Sequence, residues 1–71
     1  MPYYQEPVGD RTARLRALAE LADVSQTAIA RRRGVTIGAI NAEFRGRRNV
    51  SAATLIALYL EAAERAREAI R

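Results

Sequence analysis

Arginine is the side chain with which this sequence can do most of its chemistry. All twelve basic residues are Arg, and they stand against eight carboxylates, which gives a net charge of +4. A guanidinium group is suited to bidentate contact with phosphate or with guanine. The sequence contains no His and no Cys, which excludes disulfides, Cys/His zinc sites and His-based catalysis. The residue types therefore favour binding over catalysis.

The positive charge is concentrated in the central third of the chain. Residues 25–50 carry six arginines and one acid, a net charge of +5, whereas residues 1–24 have a net charge of −1 and residues 51–71 are neutral. The carboxylates are scattered among the arginines, and no glycine loop is arranged to cradle a phosphate group. We therefore expect a protein that is not an enzyme and that has no cofactor, no metal and no small-molecule ligand.

The length of 71 residues fits one domain. A domain of this size has a marginal core, and without disulfides or zinc its available support is a partner subunit. The longest strongly apolar run covers the six residues 55–60, whereas a membrane-spanning helix needs about 20. The N-terminus also lacks the basic start and the apolar core of a signal peptide. We expect a soluble, cytoplasmic protein that does not enter membranes.

The elements that must position the arginines are predicted to be helices throughout, which makes the fold class all-α. Residues 1–9 contain two Pro and one Gly without periodicity, so they are expected to form a mobile arm before a single domain over 10–71. Asp10 is placed to cap a first helix over about 11–22. One apolar stripe of that helix is expected to be buried, and it consists of Leu15, Leu18, Ala19 and Ala22.

Three further helix starts share one signature. Ser25, Thr36 and Ser51 each follow a Val and can accept a hydrogen bond as the N-cap of a helix. Gly34 and Gly46 are placed to end two of these helices in the left-handed conformation. These predicted helices cover 26–33, 37–45 and a long C-terminal segment over 52–70. Together with the first helix they predict a domain of four to five helices.

Two short helices joined by a tight turn at 34–36, in an all-α domain with a basic centre, are typical of a DNA-binding helix-turn-helix. The run from Gln26 to Asn41 resembles the helix-turn-helix of the phage Cro and repressor family. The matching positions are Gln26, Ala30, Gly34, Val35 and Ile40. Ala30 lets the two helices approach, Gly34 makes the turn, and Val35 and Ile40 are expected to fill the wedge between the helices. The resemblance covers residues 11–60. Within this range, the sequence Arg-Gly-Arg-Arg over 45–48 is especially similar to phage Cro.

This resemblance implies a small lambda-repressor-like domain that binds double-stranded DNA in a bacterial or phage-infected cell. It places the base-reading residues at the start and on the outer face of the recognition helix, at Thr36, Ile37, Gly38, Asn41, Ala42 and Arg45. Asn41 can pair with adenine and Arg45 with guanine or a phosphate. The phosphate contacts that the resemblance implies are Gln26, Thr27, Arg31, Arg47 and Arg48.

Each of these assignments has a plainer alternative. The tripeptide over 31–33 can be a solvated helix face, Gln26 an ordinary first-turn residue, and the arginines after the recognition helix part of a soluble loop. Arg33 departs from the family, which has an apolar residue there. We expect its stem to lie along the domain while its guanidinium group reaches solvent.

The last helix carries more apolar surface than one domain needs. Leu55, Leu58, Tyr59 and Ala62 form one inward stripe, and further apolar residues widen it. The surplus indicates an interface, which we expect to make a homodimer through Leu60, Ala63, Ala66 and Ile70. The alternative is a fold that covers this helix completely. Glu61 and Arg65 have the spacing of an ion pair within the helix.

Two hypotheses for the function follow. The first is a sequence-selective regulator of transcription, most directly a phage-type repressor that binds a near-palindromic operator as a homodimer. The alternative is a helix-turn-helix scaffold reused for protein binding, as in an antitoxin-like or regulatory partner, which the apolar residues Ile37, Gly38 and Ala42 keep open. A nonspecific architectural protein is a third and weaker interpretation.

Overall fold

The computed structural model describes residues 8–70, and within that range it contains four α-helices and no strand. The predicted all-α class is therefore confirmed. The helices are α1 Val8–Ala22, α2 Gln26–Arg33, α3 Ile37–Phe44 and α4 Ala52–Ile70. The bounds of α2 and α4 are those predicted, and α3 ends one residue earlier. Among these four helices, none combines the length and the apolar character that crossing a membrane requires.

The first helix begins earlier than predicted. Because α1 already includes Val8 and Gly9, Asp10 lies in its first turn and does not cap it. An acidic side chain in the first turn interacts favourably with the positive end of the helix dipole. An Asp is therefore favourable in the first turn as well as at the N-cap. The last two residues of the predicted arm therefore belong to α1, and residues 1–7 lie outside the described residues.

Hydroxyl side chains cap the starts of α2, α3 and α4, as predicted. Each accepts a hydrogen bond from the backbone N–H three residues later, at 3.0 Å for Ser25, 3.1 Å for Thr36 and 3.1 Å for Ser51. These bonds satisfy donors that a helix leaves without a partner at its N-terminus. The cap residues thus fix where the two short helices and the long one begin.

Helices α1, α2 and α3 end alike, each with a left-handed residue after its last turn. The φ angle is +56° at Asp23, +70° at Gly34 and +77° at Gly46. In each case the N–H of the following residue bonds to the carbonyl five positions earlier, at 2.9 Å, 3.0 Å and 2.9 Å. This is the hydrogen-bond pattern of a Schellman motif. Both glycines take the role predicted for them, whereas Asp23 was not predicted to take it.

The core lies between the four helices and includes one valine from each of the connections after α1 and α3. Its buried apolar residues are Leu15, Ala19, Val24, Ile29, Ala30, Ile40, Phe44, Val50, Ala57 and Leu58. The predicted stripe of α1 is confirmed, since its other two members, Leu18 and Ala22, are partly buried against the same cluster.

The contact between α2 and α3 differs in one respect from the prediction. Ala30 and Ile40 are buried, as expected where two helices approach closely. Val35 is 36% exposed, so the prediction that its side chain fills the wedge is wrong. The turn is held instead by its backbone, because the N–H of Val35 donates to the carbonyl of Ala30 at 3.0 Å.

Candidate nucleic-acid interface

Helix α3 divides its side chains between the core and the surface. Ile40, Glu43 and Phe44 are buried. The residues predicted to read bases lie away from this buried side: Thr36, Ile37, Gly38 and Arg45 are exposed, and Asn41 and Ala42 are half-buried. The six positions therefore belong to one accessible side of α3 and its two ends.

The chemistry of this accessible side is partly polar and partly apolar. Thr36 uses its hydroxyl oxygen to accept the N–H of Ala39 at 3.1 Å. Asn41 and Arg45 supply the other hydrogen-bonding side chains. Ile37 is 51% exposed, which is a large apolar area for a position outside the core. Such a surface can form hydrogen bonds with base edges and apolar contacts with methyl groups.

A side-chain hydrogen bond joins the two short helices. The side-chain amide of Asn41 donates to Oε1 of Gln26 at 3.1 Å. Gln26 is the first residue of α2, so this bond ties the N-terminus of α2 to the middle of α3. It brings a predicted base-reading residue into contact with a predicted phosphate ligand. The Oδ1 atom of Asn41 and the second proton of its amide are left for a further partner.

Four exposed arginines lie on α2, at the end of α3 and in the loop that follows it. Arg31 lies in α2, Arg45 caps the end of α3, and Arg47 and Arg48 lie in the loop that leads to α4. Within the range 8–70, none of these four guanidinium groups forms an ion pair. Thr27, the remaining predicted phosphate ligand, is exposed on α2 as well. The end of α3 and the loop after it therefore carry positive charge that no described residue neutralises, whereas Arg31 lines a surface cavity with Arg32, Glu61 and Glu64 between α2 and α4.

Arg32 is occupied within the protein. Its guanidinium group lies 2.6 Å from Oε1 of Glu64 and 2.7 Å from Oε2 of Glu61, both on α4. The hydrogen bonds with Glu64 and then with Glu61 raise the pKa of Arg32 above its usual value. Glu61 thus forms its ion pair with a residue of α2. The predicted ion pair between Glu61 and Arg65 within α4 is therefore wrong, because the Glu61 carboxylate binds Arg32 in the contact between the two helices.

Arg33 does not place its charge in solvent, and the prediction that it does so is wrong. Its Nη1 atom donates to Oε2 of Glu43 at 3.2 Å and to Oγ1 of Thr54 at 3.1 Å. Glu43 is only 1% exposed, and a carboxylate at that depth needs a compensating charge. Of the three consecutive arginines, only Arg31 forms no ion pair within residues 8–70.

The sequence interpretation missed Glu43 altogether. A signal was present, because Arg33 occupies a place that the resembling family fills with an apolar residue, and Glu43 follows the buried Ile40 by three positions on the same helix face. A basic and an acidic residue that both fall on core-facing positions of neighbouring helices indicate a pair.

The outer face of α4 is apolar and exposed. Within the described range the four residues predicted for a dimer contact are all exposed: Leu60, Ala63, Ala66 and Ile70. Tyr59 was predicted on the inward stripe but is 55% exposed, and Ile56 is 58% exposed. The other three members of the predicted stripe do pack inward, since Leu58 is buried and Leu55 and Ala62 are partly buried against the core. Thr54 and Ala57 are buried on the same side. The alternative of a completely covered helix is therefore wrong.

Six of the exposed apolar residues on α4 are spaced at alternating steps of four and three. They are Ala52, Ile56, Tyr59, Ala63, Ala66 and Ile70. This is the heptad spacing of helices that pack in pairs, and we refer to these six residues as the α4 seam. Because the opposite side of the first half of α4 packs in the core, all six seam residues are exposed in the described part of the chain.

In residues 8–70 no group of three or more acidic, His or Cys side chains is arranged to hold a metal ion. Neither a known family model, nor a curated protein, nor a solved structure matches the chain.

Proposed function

We propose that this chain is a helix-turn-helix DNA-binding regulator of transcription, most directly a repressor of the phage or prophage type. One observation carries the proposal: Arg45 at the end of α3, and Arg47 and Arg48 in the loop after it, form no ion pair in the described part of the chain. The hydrogen bond between Asn41 and Gln26 supports it further. The protein acts in the cytoplasm of a bacterial or phage-infected cell.

In this mechanism α3 enters the major groove and reads base edges. Asn41 forms a bidentate pair with adenine, in which its free proton is donated to N7 and its Oδ1 atom accepts from N6. Arg45, at the end of α3, contacts guanine or a phosphate. Ile37 and Ala42 contact thymine methyl groups, and Gly38 and Thr36 allow the backbone at the start of α3 to approach the bases closely.

Phosphate contacts orient the domain on the duplex. Gln26 and Thr27 lie at the N-terminus of α2, where backbone N–H groups and the helix dipole favour an anion. Arg31 is on the same helix, and Arg47 and Arg48 lie beyond α3. These contacts are independent of sequence, and they supply much of the affinity and its dependence on salt.

A homodimer formed through the α4 seam and Leu60 completes the mechanism. Two-fold symmetry presents two copies of α3 to successive major grooves about 34 Å apart, so the operator is nearly palindromic. A dimer also supplies the additional buried apolar surface that a domain of this size lacks. A promoter covered in this way excludes RNA polymerase.

Selection of bound sequences from a pool of random duplexes tests the proposal. The expected result is an enriched, nearly palindromic site whose half-sites are one helical turn apart. If no sequence is enriched and affinity in physiological salt is equal and about micromolar for all duplexes, the protein is a nonspecific binder.

The 51% exposure of Ile37 favours a second candidate function, in which α3 docks on another protein. In that case the helix-turn-helix is a scaffold, and the apolar side with Gly38 and Ala42 is the contact surface. A stoichiometric complex with an acidic protein, together with no retardation of DNA at low salt, would support this function over the first.

A further inference from the structure

The carboxylate of Glu43 is buried and holds three elements together. Glu43 is the last residue but one of α3. Its Oε1 atom accepts the backbone N–H of Ser51 at 2.8 Å. Its Oε2 atom accepts the hydroxyl of Thr54 at 2.9 Å and the guanidinium group of Arg33 at 3.2 Å. One side chain thus connects α3 with the end of α2 and the start of α4.

At the start of α4 this carboxylate does what a capping box does in other helices. In a capping box the N-cap Ser is followed three residues later by Glu or Gln, whose side chain accepts the N-cap backbone N–H. Here the residue three after Ser51 is Thr54, which donates its hydroxyl to Glu43. Glu43, from α3, accepts the N–H of Ser51 in its place.

The bond from Glu43 to Ser51 also closes the loop that contains three of the unpaired arginines. The first part of this loop is held by backbone bonds from Gly46 to the carbonyl of Glu43 at 3.2 Å and from Arg47 to the carbonyl of Ala42 at 2.9 Å. The far end is held at Ser51 by the Glu43 side chain. Arg45, Arg47 and Arg48 lie between these two anchors.

We propose that Glu43 is a positioning residue of the nucleic-acid interface: its carboxylate holds the 45–50 loop in the conformation that presents Arg47 and Arg48 to phosphate groups. The inference rests on the proposed DNA-binding function. An apolar side chain at position 43 would leave the N–H of Ser51 without this acceptor. Arg33 supplies the charge that allows a carboxylate to remain buried there.

Two double variants test this role at constant net charge. R33L/E43L replaces the ion pair by apolar side chains, a change that folded proteins commonly tolerate, and removes the acceptor for Ser51. R33L/E43Q removes the same charges but keeps a carbonyl oxygen that can accept the N–H of Ser51. Circular dichroism checks the fold, and R33L/E43M, with its adaptable side chain, replaces the Leu variant should that variant not fold.

Amide hydrogen exchange in the free protein gives the first readout. We expect faster exchange at Ser51 and across residues 45–50 in R33L/E43L, with exchange in R33L/E43Q close to that of the wild-type protein. Equal exchange in the two variants would show that position 43 does not hold the loop, and would overturn the proposal whatever the protein binds.

Affinity for a mixed-sequence DNA duplex gives the second readout, because phosphate contacts do not depend on sequence. R33L/E43L should bind about tenfold more weakly than R33L/E43Q, in the range of coupled neighbouring residues. In a background that lacks both arginines, R47A/R48A, the two variants should bind equally. An undiminished difference in that background would overturn the positioning role. A wild-type protein that binds no duplex would overturn the proposed function and the presentation to phosphate with it, while the exchange result still decides whether Glu43 holds the loop.

Discussion

Asn41 is the residue on which sequence preference should depend most. Its amide group bonds to Gln26 at 3.1 Å and retains the donor and the acceptor that a pair with adenine requires. Asn41→Ala should relax the preference at one base pair per half-site, by about 1–3 kcal/mol of discrimination. The melting temperature and the affinity for nonspecific DNA should stay nearly unchanged. Sequences selected from random duplexes by the wild-type and variant proteins measure the effect.

Arg45→Ala is the companion variant, because a residue that contacts either guanine or phosphate can lose affinity without losing preference. If Asn41→Ala selects the same sequences as the wild-type protein, α3 does not read DNA through this side chain. Contacts from Ile37 and Ala42, or the shape of the DNA, must then carry the preference.

Gln26 should act on preference through Asn41. Since its Oε1 atom is the observed partner of the Asn41 amide, Gln26→Ala should widen the orientations of Asn41 and weaken the preference at the same base pair. The double variant should be no less selective than Asn41→Ala alone, because coupled residues are not additive. Thr27→Ala, which removes an exposed neighbour on α2, should weaken binding to all sequences alike. Additive losses of selectivity would show that Gln26 and Asn41 act separately.

Single residues also show what sequence reasoning could not reach. The exceptional character of Arg33 was visible in the sequence, but its partner was not, since the pair forms only where the end of α2 meets α3 and α4. The same holds for Arg32, whose two partners lie 29 and 32 residues along the chain. A run of like charges does not reveal which of its members are neutralised by tertiary contacts.

At the scale of the elements, helix starts and ends were the most predictable features. A hydroxyl at the N-cap and a glycine after the last turn act within a few residues, so local sequence is sufficient for both ends of α2 and for the starts of α3 and α4. The start of α1 was misplaced because an Asp is favourable both as a cap and in the first turn. Asp23 was overlooked because non-glycine residues seldom adopt φ angles of this sign.

The end of α1 offers a test of that local physics. Asp23 has a φ of +56°, and its charge lies at the negative end of a helix dipole. Asp23→Gly should raise the free energy of unfolding by about 1 kcal/mol, since both unfavourable features disappear. Urea denaturation measures the change. Asp23→Asn removes only the charge and should give a smaller gain.

Gly34 allows the opposite substitution, because the left-handed residue after α2 is already a glycine. A Cβ atom there would meet nothing within 4 Å, so the cost of Gly34→Ala comes from the left-handed backbone alone and should be about 1 kcal/mol. If Asp23→Gly is neutral or destabilising while Gly34→Ala costs this amount, Asp23 must make a favourable contribution that outweighs its backbone conformation.

The loop after α3 should determine how steeply binding depends on salt. Each phosphate contact contributes a slope of about −0.9 in log K against log[salt]. Arg47→Ala or Arg48→Ala should therefore flatten the slope by about one per protomer and weaken all sequences alike. Arg32→Ala is the matched control, because it removes the same charge from a guanidinium group that α4 already neutralises. A changed sequence preference in either loop variant would show that these arginines read bases, and an equal effect of Arg32→Ala would show that only net charge matters.

At the scale of the whole molecule, α4 was predicted in its extent and in most of its inward side, with Tyr59 as the exception. Between residues 55 and 60 the helix is apolar nearly all round, so periodicity does not distinguish the side that packs inward. The angle at which α4 docks on the other helices decides it, and this angle buries Leu58 and leaves Tyr59 55% exposed. The surplus of apolar surface was predictable, whereas the heptad arrangement of the α4 seam became visible only once the buried side was known.

The α4 seam should be the site of self-association, and Ala63 lies near its middle on the exposed side. Ala63→Glu introduces a charge without disturbing the core, so the protein should remain helical but become monomeric in sedimentation experiments. Its affinity for the selected operator should fall sharply, because one half-site offers too few contacts to compete with nonspecific DNA.

Ala17→Glu, at an exposed position of α1, is the control that changes the net charge equally and should leave the dimer intact. If the two variants lose operator affinity to the same extent, the loss is a charge effect on DNA attraction. If the wild-type protein sediments as a monomer and still binds a single half-site tightly, the seam is not needed for recognition, and the contacts around α3 must then supply the affinity by themselves.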